Sequence, residues 1–341
     1  MRTARDILSP EGILLLPRGF ELKQWIAHHL LARGITELSI QLDYKPIEHR
    51  ETISPVKLAE RHFFKEYDRA LDVIESTLYR LSQKQSFEIE EVEHAVSDLM
   101  PVVLSCPRIM HFLAKARQAG ESLYTHLLNV GIITMLLGEW AKLTDEEIIN
   151  WGVAGVMHDI GKSQVAPDLL DKPGVLEPEE WDTMKAHTVF GYMMAMRSGI
   201  QDSGVLATIL QHHEREDGSG YPNGLVGSQI HPTAKAVTVA DVFEAITAER
   251  PYRGRFTIYH AADALQGMLY GKVCPEMCTT FLEGIASFYV GNRVRLNNGQ
   301  VGEVIWVNKY LPTRPTVRVG ESYVDLMRQR DLSIEEEVFD F

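Results

Sequence analysis

Histidines and aspartates with metal-binding potential recur in several short segments of this chain. His158 and Asp159 are adjacent within His158-Asp159-Ile160-Gly161-Lys162, which follows the apolar stretch 153–157. Further residues of the same chemistry are His126, His187, His212, His213 and Asp241. An imidazole nitrogen suits a divalent transition metal, and a carboxylate can bridge two cations. These residue types therefore indicate a metal centre.

The spacing of these residues strengthens that interpretation. Successive segments are about 25 to 32 residues apart, a length that one helix or helical hairpin provides. Helical bundles build metal sites from side chains that project inward from facing helices. A single histidine of this kind is more often a hydrogen-bonded core or surface imidazole. Histidines and aspartates repeated at this spacing instead predict convergence on one spot.

Net charge restricts the classes of ligand that the chain can attract. The 341 residues carry a formal net charge of −13, so there is no general attraction for nucleic acid or for an anionic membrane. An anionic substrate therefore needs a local basic cluster. Arg250 and Arg253 lie three residues apart in Arg250-Pro251-Tyr252-Arg253, and their guanidinium groups can share one face. They are candidate contacts for a phosphate group, with two surface arginines as the alternative.

A mainly α domain is expected to position the histidines and aspartates. Residues 100–288 read as a series of helices with little strand signal. The predicted helix breaks are Gly120, Gly138, Gly161, Pro173, Gly199 and Gly227. Residues 56–99 carry apolar positions at helical spacing, which predicts one or two long amphipathic helices suited to packing or to homodimer contacts.

Smaller modules are expected on either side of this domain. Residues 1–45 predict a small α+β module. Its expected elements are a strand in 12–19, a helix over 21–33 and a strand in 36–41. Residues 289–330 place β-forming residues on either side of Asn298-Gly299, which predicts a small β appendage.

The expected location is the cytoplasm. No apolar run reaches the roughly 20 residues that a membrane span needs. Residues 1–6 carry charges where a signal peptide needs an apolar stretch. Cys106, Cys274 and Cys278 are odd in number and lack metal-ligand spacing, so we expect buried thiols and no disulfide framework.

The histidine and aspartate motifs resemble those of the HD phosphohydrolase superfamily. The segment 212–222, which ends in Gly220-Tyr221-Pro222, is similar to the HD-GYP subgroup, and the whole resemblance covers about residues 100–288. It implies a helical bundle around two or three metal ions, most commonly iron or manganese. It also implies hydrolysis of cyclic di-GMP to pGpG, and often to GMP, by a hydroxide that bridges the metals.

The resemblance also implies roles for individual residues, with Asp159 bridging two ions. One ion would be bound by His126, His158, Asp159 and Asp241, and the other by Asp159, His187, His212 and His213. Lys162, one turn beyond His158, would offer a positive charge to the phosphate. The expected substrate contacts are Lys162, Tyr221, Pro222, Arg250 and Arg253, with the Tyr221 ring available for base stacking.

This sequence departs from the family pattern at positions near the ligands. Three-metal members carry a glutamate four residues before the first histidine, where this chain has Ser122, with Glu121 one position earlier. One residue along a helix is about 100° of rotation, so Glu121 points elsewhere and two metal ions are expected. Glu244 occupies a position where the family usually has aspartate. Val273-Cys274-Pro275 occupies a position where the family usually has Phe-Asp-Pro. Both differences change the local contacts that the family pattern predicts, and neither changes a metal ligand.

Two alternatives to cyclic di-GMP hydrolysis stay open. One is a catalytically silent cyclic di-GMP sensor or scaffold that binds partners such as diguanylate cyclases; the presence of every expected ligand argues against it. The other is an HD hydrolase that acts on a different phosphate ester or cyclic dinucleotide. Gly220-Tyr221-Pro222 together with Arg250 and Arg253 favours cyclic di-GMP.

Overall fold

The computed structural model describes most of the chain from residue 55 onward and short parts before it. The described residues are 2–3, 7–8, 14–18, 30, 40–41, 55–83, 85–119, 122–170, 172–247, 258–269, 271–308 and 311–338. The chain divides into two compact units, Met1–Ser54 and Pro55–Phe341.

The N-terminal unit contains short antiparallel strand pairs. Strand β1 (Arg2–Thr3) pairs with β4 (Ile40–Gln41), and β2 (Ile7–Leu8) pairs with β3 (Leu14–Leu16). Ile7 and Leu30 are buried together in a small apolar core. Strands are therefore present in the described parts of the segments predicted as strands, at Leu14–Leu16 within 12–19 and at Ile40–Gln41 within 36–41. The helix predicted over 21–33 lies outside the described residues, apart from Leu30, which is helical.

Helices make up most of the second unit, which confirms the mainly α fold. In chain order they are α1 (Pro55–Ser82), α2 (Ile89–Leu104), α3 (Ile109–Ala119), α4 (Leu123–Trp140), α5 (Asp145–Met157), α6 (Pro167–Leu170), α7 (Pro178–Lys185), α8 (His187–Arg197), α9 (Ser203–Gln211), α10 (Pro232–Thr247), α11 (Ile258–Gly267) and α12 (Pro275–Ala286). Short 3-10 helices cover Ile160–Gln164 and Gly227–Gln229.

Helix α4 is the centre of the bundle because it is apolar on nearly every side. A helix of that kind must be buried, and α4 packs against α1, α2, α3, α5, α10 and α12. The break predicted at Gly138 is wrong, since α4 continues through it to Trp140. A glycine inside a helix costs only about 1 kcal/mol, and a Cβ on Gly138 would lie 3.2 Å from Ile148 Cγ1. Close packing of α5 therefore explains the glycine.

Helix α5 carries the central His158-Asp159 pair into the bundle. Thr144 caps its first turn. Small residues let it approach α4 closely, because a Cβ on Gly155 would lie 2.8 Å from the Cα of Gly131. The helix ends immediately before His158, and both His158 and Asp159 are almost completely buried, at 0% and 1% exposure.

The C-terminal residues form an antiparallel sheet of five strands in the order β8-β7-β6-β5-β9. The strands are β5 (Arg293–Leu296), β6 (Val301–Asn308), β7 (Leu311–Val319), β8 (Ser322–Asp325) and β9 (Ile334–Val338). The β5–β6 turn contains Asn298 and Gly299, whose φ is 82°, as expected for this turn. The sheet continues past residue 330, since β9 pairs with β5. Strand β7 packs against α11 and α12 and so joins the sheet to the helices.

The cysteines are buried and do not form disulfide bonds. Cys106, Cys274 and Cys278 are buried free thiols, as the sequence predicts. Burial raises the pKa of the Cys106 thiol, and it raises the pKa of Cys278 to about 12. Both therefore stay protonated near neutral pH and are poor nucleophiles or metal ligands.

None of the helices within the described ranges combines the length and the apolar character needed to cross a membrane.

Gly161 provides a test of how tightly the elements around Asp159 are packed. A Cβ at this position would lie 1.8 Å from His187 O and 2.6 Å from Gly191 N. Gly161→Ala must therefore separate two backbone segments that meet at the site. We expect the free energy of unfolding to fall by about 3 kcal/mol or more, measured by chemical denaturation of metal-free protein.

The matched control is Gly267→Ala, because nothing lies within 4 Å of a Cβ added there. Unchanged stability in Gly161→Ala, or an equal loss in Gly267→Ala, would contradict this description of the packing.

Candidate metal centre

The residues singled out as metal ligands come together at one place in the helical bundle. His126 lies in α4, His158 and Asp159 follow α5, His187 begins α8, His212 and His213 follow α9, and Asp241 lies in α10. Within the described ranges, the side chains that could hold a metal ion form two groups, His126, His158 and Asp159 in one, and Asp159, His187, His212 and His213 in the other. In each group the ligand atoms lie within 4.8 Å of one another. Asp159 is the member that both groups share.

The two oxygens of the Asp159 carboxylate face different histidines. Oδ1 lies 3.0 Å from His187 Nε2 and 3.5 Å from His212 Nε2. Oδ2 lies 3.3 Å from His158 Nε2 and 3.8 Å from His126 Nε2. One carboxylate is thus placed to serve two neighbouring cations.

Asp241 completes the side of the site that contains His126. Its Oδ1 lies 3.4 Å from His126 Nε2 and 3.9 Å from His158 Nε2. We call His126, His158 and Asp241 the His126 half. The His187 half is His187, His212 and His213, where the rings of His212 and His213 lie 4.1 Å apart between centroids. Asp159 stands between the two halves.

Backbone carbonyls determine which nitrogen of three imidazoles carries the hydrogen. His158 Nδ1 lies 2.7 Å from Gly155 O, His187 Nδ1 lies 2.7 Å from Met184 O, and His212 Nδ1 lies 3.1 Å from Thr208 O. A carbonyl oxygen only accepts, so each Nδ1 donates. In a neutral ring Nε2 then has a free lone pair, the form in which histidine binds metals.

These lone pairs point at one another in a buried space. His187 Nε2 and His212 Nε2 are 3.4 Å apart, and both face Asp159 Oδ1. Among the described residues, His158 Nε2 and Asp159 Oδ1 are buried polar atoms without a hydrogen-bond partner of acceptable geometry. Buried acceptors that face acceptors repel, and a buried polar atom without a partner costs about 1–3 kcal/mol.

A divalent cation on each side of Asp159 fits this arrangement. It would replace repulsion between lone pairs by coordination bonds, and imidazole nitrogen with carboxylate oxygen is a donor set for transition metals. The donor atoms are of the types that bind such ions, and the ligands form two groups. Iron and manganese both suit these donors.

The protonation states of His212, His213 and the two aspartates also favour metal binding, which requires neutral imidazoles and charged carboxylates. Burial lowers the pKa of His212 to about 4 and holds the pKa of His213 well below its usual range. Burial opposes the charged Asp159 carboxylate, but Lys162 and His158 outweigh that effect and lower its pKa. The pKa of Asp241 is lowered in the same way, mainly by its contact with His126.

Glu244 is a functional candidate that sequence reasoning noted only as a departure from the family pattern. Its Oε2 accepts a hydrogen bond from His126 Nδ1 at 2.6 Å. Burial opposes the charged form of His126, yet the carboxylates of Asp241 and Glu244 raise the pKa of its imidazole to about 10. Glu244 follows Asp241 by three residues in α10, so both face the same side. That spacing was the available signal.

Lys162 lies beside the shared carboxylate. Its Nζ forms an ion pair with Asp159 Oδ2, and its side chain is 26% exposed. Burial opposes the ammonium charge, but Asp159 outweighs that effect and raises the pKa of Lys162. The site therefore has a permanent positive charge at its edge.

Ser122 has a structural role that occupies its hydroxyl. It is the N-cap of α4, and its Oγ accepts from Thr125 N at 3.2 Å. An N-cap hydroxyl used in this way stabilises the helix by about 1 kcal/mol. Glu121 lies outside the described residues. The position that would need a carboxylate for a third metal ion is therefore taken by a helix cap.

The loop that contains Tyr221 and Pro222 is held by a buried carboxylate, Glu214. It accepts from Asn223 N at 2.7 Å and from Leu225 N at 2.9 Å. Sequence reasoning missed Glu214, which lies directly beside two histidines and was treated with them as one motif. Its contacts with the loop fix the position of the Tyr221 ring relative to the metal-binding residues.

Aromatic rings extend from the His187 half toward solvent. The Tyr221 ring stacks on His213 with centroids 4.7 Å apart and an interplanar angle of 29°. Trp181, on α7, lies 6.4 Å from Tyr221 and is 48% exposed. Sequence reasoning missed Trp181 because no motif includes it. Arg250 and Arg253 lie outside the described residues.

The matches to protein families separate the helical part of the second unit from its C-terminal sheet. Residues 112–272 match the HD domain, and residues 293–339 match the KOW domain associated with HD domain. All of the candidate metal ligands lie in the first segment, and the five-stranded sheet forms the second. Residues 112–272 therefore match an HD domain, as the resemblance of the motifs in this segment indicates.

Relatives of this chain include proteins that act on cyclic dinucleotides. A cyclic di-GMP phosphodiesterase of Pseudomonas aeruginosa is 30% identical over 256 residues, which are 72% of this chain and 61% of that protein. A 3'3'-cGAMP-specific phosphodiesterase of Vibrio cholerae is 35% identical over 159 residues, which are 46% of this chain and 34% of that protein. This chain thus spans about six tenths of the first relative and about a third of the second.

A solved structure supports the fold. An HDG"Y"P protein from Bdellovibrio bacteriovorus aligns with a TM-score of 0.52 at 16% sequence identity. The alignment covers 81% of this chain and 92% of that protein. At this level of identity the likeness concerns the arrangement of helices and strands.

Asp159→Ala tests the shared carboxylate. We expect the purified variant to retain neither metal ion after incubation with manganese(II) or iron(II). Removal of the carboxylate leaves two cations without the negative charge between them. Metal analysis after gel filtration measures the content per chain. Asp168→Ala, which changes an exposed aspartate in α6, is the control and should bind metal normally. Full metal content in Asp159→Ala would show that the carboxylate is no bridge.

Proposed function

We propose that this chain is a metal-dependent phosphodiesterase of the HD-GYP type that hydrolyses cyclic di-GMP to pGpG, to GMP or to both. The observation that carries the proposal is the buried Asp159 carboxylate between two sets of Nε2 lone pairs. A pair of divalent ions is a recurrent solution for hydrolysis of phosphate diesters. The names of the two relatives, both phosphodiesterases of cyclic dinucleotides, support the same reaction.

The ligand sets in this proposal share Asp159. The His126 half would hold one ion and the His187 half the other, with iron or manganese as the ions that imidazole and carboxylate donors suit. When bound, such ions lower the pKa of a water between them, bind a phosphate oxygen and neutralise the charge that develops in an in-line displacement. The protein residues fix where that water and phosphate can lie.

Lys162 contributes a charge that comes from the chain itself. Its ammonium lies beside Asp159 Oδ2 and reaches the surface of the site. A phosphate diester bound next to Asp159 would lie within reach of this ammonium. Lysine acts as a point charge on phosphate, so Lys162 would hold a non-bridging phosphate oxygen and offset its negative charge.

Substrate bases would be bound by the aromatic rings next to the His187 half. Tyr221 presents a ring already fixed by its stack on His213, and Trp181 presents an exposed ring beyond it. Stacking of a base on an aromatic side chain is worth about 1–3 kcal/mol. Arg250 and Arg253 are proposed as the phosphate and guanine contacts that a chain of net charge −13 requires.

A second candidate substrate is another cyclic dinucleotide. The Vibrio cholerae relative, at 35% identity, is named as specific for 3'3'-cGAMP. Both messengers carry two phosphate diesters and purine bases, so the metal centre alone does not distinguish them. The choice between them would be made by the base-binding residues.

Product analysis tests the proposed reaction. Protein loaded with iron(II) or manganese(II) is incubated with cyclic di-GMP, 3'3'-cGAMP and cyclic di-AMP, and the products are separated by chromatography. We expect pGpG or GMP from cyclic di-GMP and slower cleavage of the other two, with no products from Asp159→Ala. Faster cleavage of 3'3'-cGAMP would favour the second candidate. Tight binding of cyclic di-GMP without any cleavage would favour a sensor.

Trp181→Ala tests base recognition separately from the chemistry. We expect KM for cyclic di-GMP to rise about tenfold, which corresponds to about 1.4 kcal/mol of lost stacking. Hydrolysis of bis(p-nitrophenyl) phosphate, which has no base, should be unchanged.

The matched control is Trp306→Ala in β6, because Trp306 is 53% exposed and Trp181 is 48% exposed. This variant should behave as wild type with both substrates. An equal KM for cyclic di-GMP in Trp181→Ala and Trp306→Ala would contradict a role for Trp181 in base binding.

A further inference from the structure

A buried series of hydrogen bonds connects helix α1 to the candidate ligand His126. Tyr67 Oη donates to Asn129 Oδ1 at 3.0 Å, and Asn129 Nδ2 donates to Glu244 Oε1 at 3.2 Å. Glu244 Oε2 in turn accepts from His126 Nδ1 at 2.6 Å. Residues of α1, α4 and α10 thus meet at one carboxylate.

Solvent has almost no access to this series. Tyr67 is 3% exposed, Asn129 is 0% exposed and Glu244 is 3% exposed. Water therefore cannot replace a partner that is removed, and buried polar networks of this kind lose more than one bond when a member is lost. Burial, and after it the charge of Glu244, raises the pKa of Tyr67. Its hydroxyl therefore keeps its hydrogen and stays a donor.

The Tyr67 hydroxyl holds the Asn129 amide in the position from which it reaches Glu244. A carboxylate only accepts, so the NH2 group of Asn129 must face Glu244, and its oxygen must face a donor. Tyr67 is that donor. Without the hydroxyl, the buried Asn129 oxygen loses this donor, so the amide is no longer held in the position from which its NH2 group reaches Glu244.

The position of the hydroxyl is in turn set by packing in α1. The Tyr67 ring lies 5.4 Å from Phe63 and 6.2 Å from Phe64 between centroids. Phe63 also packs 5.4 Å from Phe112 of α3. An aromatic ring held on several sides has little freedom, so Tyr67 Oη is as fixed as the helix that carries it.

Arg117 adds a second restraint on the same carboxylate. Its NH1 lies 3.6 Å from Glu244 Oε1, the oxygen that Asn129 contacts. Oε1 is thus directed toward Asn129 and Arg117, which leaves Oε2 for His126. The imidazole then presents its Nε2 to Asp159 and Asp241.

We propose that Tyr67 is a positioning residue of the metal centre, which acts through Asn129 and Glu244 to hold His126 in the orientation that binds metal. This inference rests on the proposed function, because it requires metal ions at the site. Tyr67 precedes the segment 112–272 that matches the HD domain. Helix α1 therefore supplies a part of the metal centre's support from outside that segment.

Tyr67→Phe is the direct test, because it removes the hydroxyl and keeps the ring. Partners beyond the ligands typically change metal affinity by 10- to 100-fold. We expect manganese(II) binding, measured by chelator competition, to show one ion bound about tenfold more weakly and the other unchanged. The ion of the His126 half is the one affected.

The matched control is Tyr289→Phe. Tyr289 is fully buried, and its Oη donates to Ile258 O at 3.4 Å, away from the metal-binding residues. Both variants lose one buried tyrosine hydrogen bond, so both lose some stability. Only Tyr67→Phe should lose affinity for one manganese(II) ion, and equal affinities in the two variants would overturn the proposal.

The same measurements distinguish this inference from the proposed function. Wild-type protein that binds two ions but cleaves no cyclic dinucleotide would contradict the proposed reaction, and the comparison of Tyr67→Phe with Tyr289→Phe would still decide the role of Tyr67. Wild-type protein that binds no manganese(II) would overturn both.

Discussion

One buried carboxylate contacts imidazole nitrogens on both of its sides, and the arrangement of the surrounding helices serves this contact. Asp159 is 1% exposed, and its two oxygens face Nε2 atoms of different histidines. The histidine lone pairs and the carboxylate oxygens are all acceptors, so the arrangement is unfavourable without positive charge between them. Lys162 supplies part of that charge, and two divalent ions would supply the remainder. The need for ligands around these positive charges explains why the ends of helices α5, α8 and α9 meet next to Asp159.

The bundle satisfies that requirement with ordinary backbone groups. Carbonyl oxygens at the helix ends accept from the Nδ1 atoms of His158, His187 and His212 and so direct each Nε2 inward. Close approach of α4 and α5, made possible by Gly131 and Gly155, brings the ends of those helices within reach of one another. His126 differs, because its Nδ1 partner is the charged side chain of Glu244. Its orientation therefore depends on side chains from other helices.

Much of this could be predicted from the sequence, because short-range signals carry it. The apolar run before His158 and the regular spacing of the ligand segments are local features, and they indicated both the helical domain and the candidate ligands. Tyr67 was beyond such reasoning, since its partner Asn129 lies 62 residues away. The spacing of Glu244 from Asp241 was a local signal, but the contact of Glu244 with His126, 118 residues away, was not. Strand β9 was missed because Ile334-Glu335-Glu336-Glu337-Val338 has three consecutive acidic residues and no alternation of apolar residues. Gly138 was misjudged because a buried glycine can serve packing within a helix.

Anomalous diffraction from crystals of manganese-loaded protein decides whether two metal ions share Asp159. We expect two anomalous peaks on opposite sides of the Asp159 carboxylate, one with His126, His158 and Asp241 as neighbours and the other with His187, His212 and His213. A single peak, a peak without contact to Asp159, or a third fully occupied peak next to Ser122 would contradict it.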